Sequence, residues 1–133
     1  MEAHPRTILV VDEDEEIRSV MIDELSSAGH EVLACTSARQ ALEQVAIRDD
    51  DDEDSRVDLV IADCDMPGMN GLQLAAEIKR RWLSLPVFLM ADHDKENFER
   101  AANELETLFF EKPINFEWLI RGIQRHVRSR VRE

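Results

Sequence analysis

Three shortages narrow the class of this protein. The chain has only two cysteines, Cys35 and Cys64, far apart and in no metal-ligand spacing. That argues against a disulfide framework or a cysteine-bound zinc, and reads as reduced thiols in a cytoplasmic protein. No apolar run approaches the roughly 18 residues of a membrane span, and the N-terminus has no signal-peptide layout. Positive charge is short as well. Against 29 Asp and Glu stand 16 Lys and Arg, a formal net charge of -13. This argues against wrapping nucleic acid or lying on an anionic membrane as the main task. No internal repeat is visible. What remains is 133 residues, 44% hydrophobic and 34% charged. That predicts one soluble domain over 1–133, with its core at about 6–127, large enough to hold together without staples.

The stretch 57–71 organises the rest. Its first part, Leu59-Val60-Ile61-Ala62, is apolar, β-branched and too short for a helix, which predicts a strand buried on both faces. The run stops at Asp63, and Pro67, Gly68, Asn70 and Gly71 then enforce a loop. Leu74, Ile78 and Trp82, four residues apart, predict a helix after it. Four more short runs, at 7–11, 31–35, 86–90 and 107–110, predict further strands. Helical spacing lies between and after them. One helix turns Ile17, Met21 and Leu25 inward, with Val20 and Ile22 widening the face. The next buries Ala38, Ala41, Leu42 and Val45. A weak one has Phe98, Ala101, Ala102 and Leu105, and the last has Trp118, Leu119, Ile123 and Val127. Asp14, Ser37 and Asn115 are the expected N-caps, and Gly29 a C-terminal stop. Such alternation predicts an α/β, flavodoxin-like, doubly wound parallel five-stranded sheet of order 2-1-3-4-5, with helices on both faces.

Two charge runs stand apart. Residues 48–56 carry six consecutive acids, which repel one another and predict a solvated acidic loop. The run lacks the glycine and spaced glutamate of a calcium-binding loop. The last helix carries Arg121, Arg125, Arg128, Arg130 and Arg132, a docking face for an acidic partner or simply a solvated one.

An open parallel sheet gathers its chemistry beyond the carboxyl ends of its strands. Asp12, Glu13, Asp63 and Lys112 all fall there. Three carboxylates brought together repel unless a cation is present. Oxygen donors of this kind favour Mg²⁺. One neutralised carboxylate can then attack a phosphoryl donor, with Lys112 as a point charge for a phosphoryl oxygen.

These residues carry a resemblance. Ile8-Leu9-Val10-Val11-Asp12-Glu13, Asp58-Leu59-Val60-Ile61-Ala62-Asp63, Met66-Pro67-Gly68-Met69-Asn70-Gly71 and Lys112-Pro113 stand in the order and spacing of the receiver domain of bacterial two-component response regulators, the chemotaxis-regulator type. The resemblance implies a phosphoacceptor at Asp63 and Mg²⁺ held by Asp12, Glu13, Asp63 and the backbone carbonyl of Asp65. It implies a phosphate-contacting Lys112 and an aromatic switch at Phe109. It implies a signalling domain rather than an enzyme, capable only of its own phosphorylation and slow dephosphorylation. The implied partners are a sensor histidine kinase or phosphotransfer protein, an output domain or effector, and a second copy in a homodimer. Nucleic acid and membrane are not among them. No output domain follows Glu133, so the chain is read as a stand-alone receiver or as the receiver part of a longer protein.

The departures are informative too. The family's fourth strand ends in Thr or Ser, and alignment from Pro86 places Ala91 there. No Ser or Thr lies between Ser84 and Thr107, so no slip of register restores it. Asp92 follows where a small residue is usual, and Leu105-Glu106 replaces a Gly-Ala pair. A full two-state switch needs about 5.5 kcal/mol of differential stabilisation. A lost charge-assisted hydrogen bond removes about 1.5–3 kcal/mol of it. Phosphorylation with a weak or unconventional conformational response is the expectation. Two alternatives remain. One is a degenerate receiver that binds proteins independently of phosphate. The other is a haloacid-dehalogenase-like phosphatase using Asp63-Cys64-Asp65 as its D-x-D pair, although there that pair closes the first strand.

Overall fold

Five short apolar runs form five strands: β1 (Thr7–Val11), β2 (Glu31–Cys35), β3 (Leu59–Asp63), β4 (Val87–Ala91) and β5 (Leu108–Glu111). In the computed structural model, which describes residues 5–49, 55–92 and 97–128, they make one parallel sheet of order β2-β1-β3-β4-β5. The fold expected from sequence is the fold observed. Every residue of β1, β3 and β4 is buried, which is why those runs are continuously apolar. The edge strands β2 and β5 are only partly covered.

Strand alternation sorts the core into two layers. Leu9, Val11, Val60, Ala62, Leu89 and Ala91 face one side, packed on α2 (Ala38–Asp49), α3 (Gly71–Arg81) and α4 (Phe98–Glu104). Ile8, Val10, Leu59, Ile61, Phe88 and Met90 face the other, packed on α1 (Glu15–Ser27) and α5 (Phe116–His126). Each large side chain so buried contributes about 1.5–3 kcal/mol.

The caps expected from sequence are present. Asp14 Oδ1 accepts from the backbone N–H of Glu16 at 2.8 Å, and Glu15 and Glu16 complement the positive end of α1. Ser37 Oγ accepts from Gln40 N–H, and Asn115 Oδ1 from Trp118 N–H. Asn70 and Gln73 add a reciprocal capping box at α3. Helix α4 closes with paired bonds, Glu106 N–H to Asn103 O and Thr107 N–H to Ala102 O, both 3.0 Å. Glu106 holds the left-handed turn (φ 58°) that glycine usually takes. The family's missing glycine therefore leaves the turn in place, and Lys79 Nζ braces it through Leu105 O at 3.2 Å.

Two side chains expected inward are not. Val20 is 48% and Trp118 is 65% exposed. A helix advances about 100° per residue, and the buried lines run through Met21 and Leu25 and through Leu119 and Ile123. Val20 and Trp118 each lie one residue before such a line. Helix α5 ends at His126, so Arg128 lies beyond it. The expectations for His4, His93, the acids at 50–54, Arg130 and Arg132 fall outside the described residues. No helix among those described is long and apolar enough to cross a membrane.

At the amino edge of the sheet, Arg6 joins the two ends of the fold. Its guanidinium donates from Nη2 to Val127 O at 3.0 Å, and its backbone N–H donates to His30 Nδ1 at 3.1 Å. Asp58 Oδ2 accepts from Thr7 N–H at 2.7 Å on the same edge.

Candidate functional site

The opposite edge holds the candidate site. Strands β1, β3 and β5 each deliver one more hydrogen bond past their ends. Asp12 N–H reaches Cys35 O, Cys64 N–H reaches Met90 O, and Lys112 N–H reaches Ala91 O at 2.7 Å. These bonds carry Asp12, Asp63 and Lys112 to one crevice. Lys112 Nζ lies 2.8 Å from Asp12 Oδ2 and 3.5 Å from Asp63 Oδ2. All three side chains are buried, Asp12 most completely.

Charge so placed is costly unless paired. Burial is the main influence on Asp63 and raises its carboxyl. The Asp65 N–H and the Lys112 ammonium pull it down, while the Asp12 charge adds to the rise, leaving it at about 6. Burial also weighs most on Lys112, disfavouring its ammonium. The hydrogen bond to Asp12 and the charges of Asp63, Asp12 and Asp92 together outweigh burial and raise it. The pair is a buried ion pair with a shared cation, and Asp63 is its less satisfied member.

The convergence expected from sequence is met for Asp12, Asp63 and Lys112 and not for Glu13. Asp12 is turned into the crevice, while Glu13 is exposed. Asp65 is exposed too, and touches the site through its N–H, 3.2 Å from Asp63 Oδ1. Among the described residues no three His, Cys, Asp or Glu side chains gather closely enough to hold a metal. The expected cluster of three carboxylates is thus a cluster of two, with an ammonium between them. Mg²⁺ needs no more than this, because it takes one or two carboxylates and keeps several waters. The donor set, all oxygen with two buried carboxylates, fits Mg²⁺ and suits no softer ion.

The loop after β3 is shaped by two glycines. Gly68 has a φ of 74°. Gly71 opens α3 against the backbone of the site: an added Cβ would meet the Asp63 carbonyl oxygen and lie 2.8 Å from its carbonyl carbon. Only glycine lets the helix start that close. Ala91 ends β4 fully buried and in register with Glu111, its carbonyl oxygen accepting from Lys112 N–H. Phe109 pairs with Leu89 and packs half-buried against the core layer that contains Ala91. The Lys112–Pro113 peptide is cis.

Sequence reasoning missed Arg18, which donates from Nη1 to the carbonyl oxygens of Asp12 and Glu13 at 2.8 and 2.9 Å. The available signal was a lone cation one turn into an acidic helix start. Cys64 is buried directly after Asp63, and burial pushes the Cys35 thiol up to about 11, so Cys35 offers no reactive thiolate.

The comparisons with known proteins point one way. The model of the response regulator receiver domain matches residues 8–124. The response regulator protein FleR of Pseudomonas aeruginosa is 32% identical over 120 residues, which are 90% of this chain and 24% of that protein. This chain therefore spans about a quarter of that relative's length. A solved signal receiver domain of an HD domain-containing protein from Pseudomonas fluorescens superposes with a TM-score of 0.80 at 27% identity, covering 92% of this chain and 94% of that one. The response regulator TrrA of Thermotoga maritima, solved in complex with Mg²⁺ and BeF, superposes at 0.76 with 26% identity, covering 90% and 97%. With sheet order, crevice and family model in agreement, the chain belongs to the receiver domains of two-component response regulators.

Proposed function

We propose that Asp63 accepts a phosphoryl group from a phosphohistidine of a sensor histidine kinase or phosphotransfer protein. The observation that carries this reading is the Asp63 carboxylate, buried at a strand end and held by one ammonium shared with Asp12. An Asp63 oxygen attacks phosphorus, the bond from phosphorus to histidine nitrogen breaks, and an acyl phosphate remains on the protein. Lys112 offers its charge to a phosphoryl oxygen. Asp12, Asp63 and the Asp65 carbonyl would hold Mg²⁺, which would neutralise charge on the donor oxygens, and Glu13 would join them only by turning inward from its exposed position. The chain then acts as a cytoplasmic signalling domain over 1–133 that modulates an output domain or effector and turns over only its own phosphoryl group.

Incubation with acetyl phosphate, with and without Mg²⁺, tests this by intact mass. A Mg²⁺-dependent phosphoryl adduct absent from Asp63→Ala is the expected result. No adduct at saturating donor in a folded sample would sink the proposal and leave phosphate-independent binding.

The signal past Asp63 is expected to be weak. Ala91 ends β4 with a buried methyl group, where the family's hydroxyl would draw the loop inward. The fluoroberyllate-bound protein should keep Phe109 close to its half-buried position. A structure with Phe109 drawn fully inward would count against this.

A further inference from the structure

Arg18 is the one basic residue of α1, among Glu15, Glu16, Asp23 and Glu24. Charge alone would pair it with a carboxylate. Among the described residues it makes no ion pair, and Nη1 donates instead to the backbone carbonyls of Asp12 and Glu13, at 2.8 and 2.9 Å. These carbonyls belong to the turn that leaves β1. Two further bonds pin the same turn: Asp14 N–H to Asp12 Oδ1 at 2.9 Å, and Arg18 N–H to Asp14 O at 3.1 Å. Arg18 is half-buried as a residue; its bond to Asp12 O is part-buried and its bond to Glu13 O is exposed. With both carbonyls engaged and the Glu13 side chain exposed, the oxygens this turn offers to the crevice are those of the Asp12 carboxylate.

We propose that Arg18 is a positioning residue for Mg²⁺, fixing the turn so that the Asp12 carboxylate, and not the two carbonyls, serves the ion. The inference rests on the Mg²⁺ site of the proposed function. It makes a prediction of sign. A cation near a cation site repels it, so if Arg18 acted through charge alone, its removal would tighten Mg²⁺ binding. If it acts by positioning, removal loosens binding, as loss of an outer partner of a metal ligand does, by about 10-fold or more.

Calorimetric titration of the full chain with MgCl₂ alone, on wild type, Arg18→Ala and Arg18→Lys, separates the cases. The expected result is an affinity lowered about 10-fold in Arg18→Ala and partly recovered in Arg18→Lys, whose ammonium can reach both carbonyls. Metal-free melting should stay within a few degrees of wild type. Unchanged or tighter binding by a folded Arg18→Ala overturns the inference and leaves the Mg²⁺ site standing. Should Arg18→Ala fail to fold, Arg18→Met, which keeps the apolar stem and drops both donors, decides in its place: weaker binding supports positioning, and unchanged or tighter binding overturns it. Wild type that takes no Mg²⁺ overturns both the inference and the site.

Discussion

Lys112→Met is expected to cost about 3–5 kcal/mol of folding stability at pH 7, because breaking a buried pair leaves its partners unpaired. Methionine fills a similar volume, so the loss reports charge rather than a cavity. Two carboxylates are stranded together, Asp12 at 1% exposure and Asp63 at 8%. The effect has a pH signature. Lys112 is one of the groups that lower Asp63 from where burial would leave it. Without the ammonium, the Asp63 carboxyl must rise beyond about 6. A raised carboxyl penalises folding above its folded pKa, and the penalty lifts as pH falls through that value. Urea denaturation of wild type and variant at pH 8 and pH 5 should therefore show a smaller gap at pH 5. A gap below about 1 kcal/mol at pH 8 would place this pair with exposed ion pairs and refute the burial argument.

Asp63→Asn is expected to move stability the other way. The Asp63 carboxyl stands at about 6, against 3.8 in the unfolded chain. Between those values the folded state binds more protons than the unfolded one, so stability falls as pH rises through the window. At about 1.4 kcal/mol per pKa unit, the carboxylate weakens the metal-free fold by up to about 3 kcal/mol at pH 7. Asparagine escapes that penalty, so the variant should be the more stable at pH 7 and lose its advantage by pH 4. Mg²⁺ should narrow the gap, because it stabilises only the form it binds. Thermal melts of both proteins at pH 4 and 7, with and without EDTA, check each statement. A variant less stable than wild type at pH 7 without metal would show that Lys112 outweighs burial.

Much of this was legible in the sequence because it is written in short-range chemistry. Continuous apolar runs gave the three central strands, where both faces are covered. Asp14, Ser37 and Asn115 cap where their side chains must. Asp12, Asp63 and Lys112 were found because parallel strands carry their ends to one edge. What was missed depends on angle or on distant partners. Glu13 follows the last strand residue by two, where the pleat no longer dictates direction, and it turns outward. Trp118 is apolar but one step off its helix's buried line. The partners of Arg18 are carbonyls, which no side-chain pattern displays. Arg6 finds its carbonyl at Val127, a pairing no local pattern announces.

The contact between Asp12 and Lys112 also bears on the order of assembly. The two residues are 100 positions apart. Closing such a loop costs about 4 kcal/mol of chain entropy, which no local contact repays. Strands β1, β2 and β3 can pair beforehand, since β1 lies between the other two. The ammonium arrives only with β5, the last of these five strands to be synthesised. Until then Asp12 and Asp63 approach without their cation and resist being buried. The crevice is therefore a checkpoint on completeness, formed only when β5 has docked, so a stalled or truncated chain ending before Lys112 would not bring Asp12 and Asp63 together around their shared ammonium.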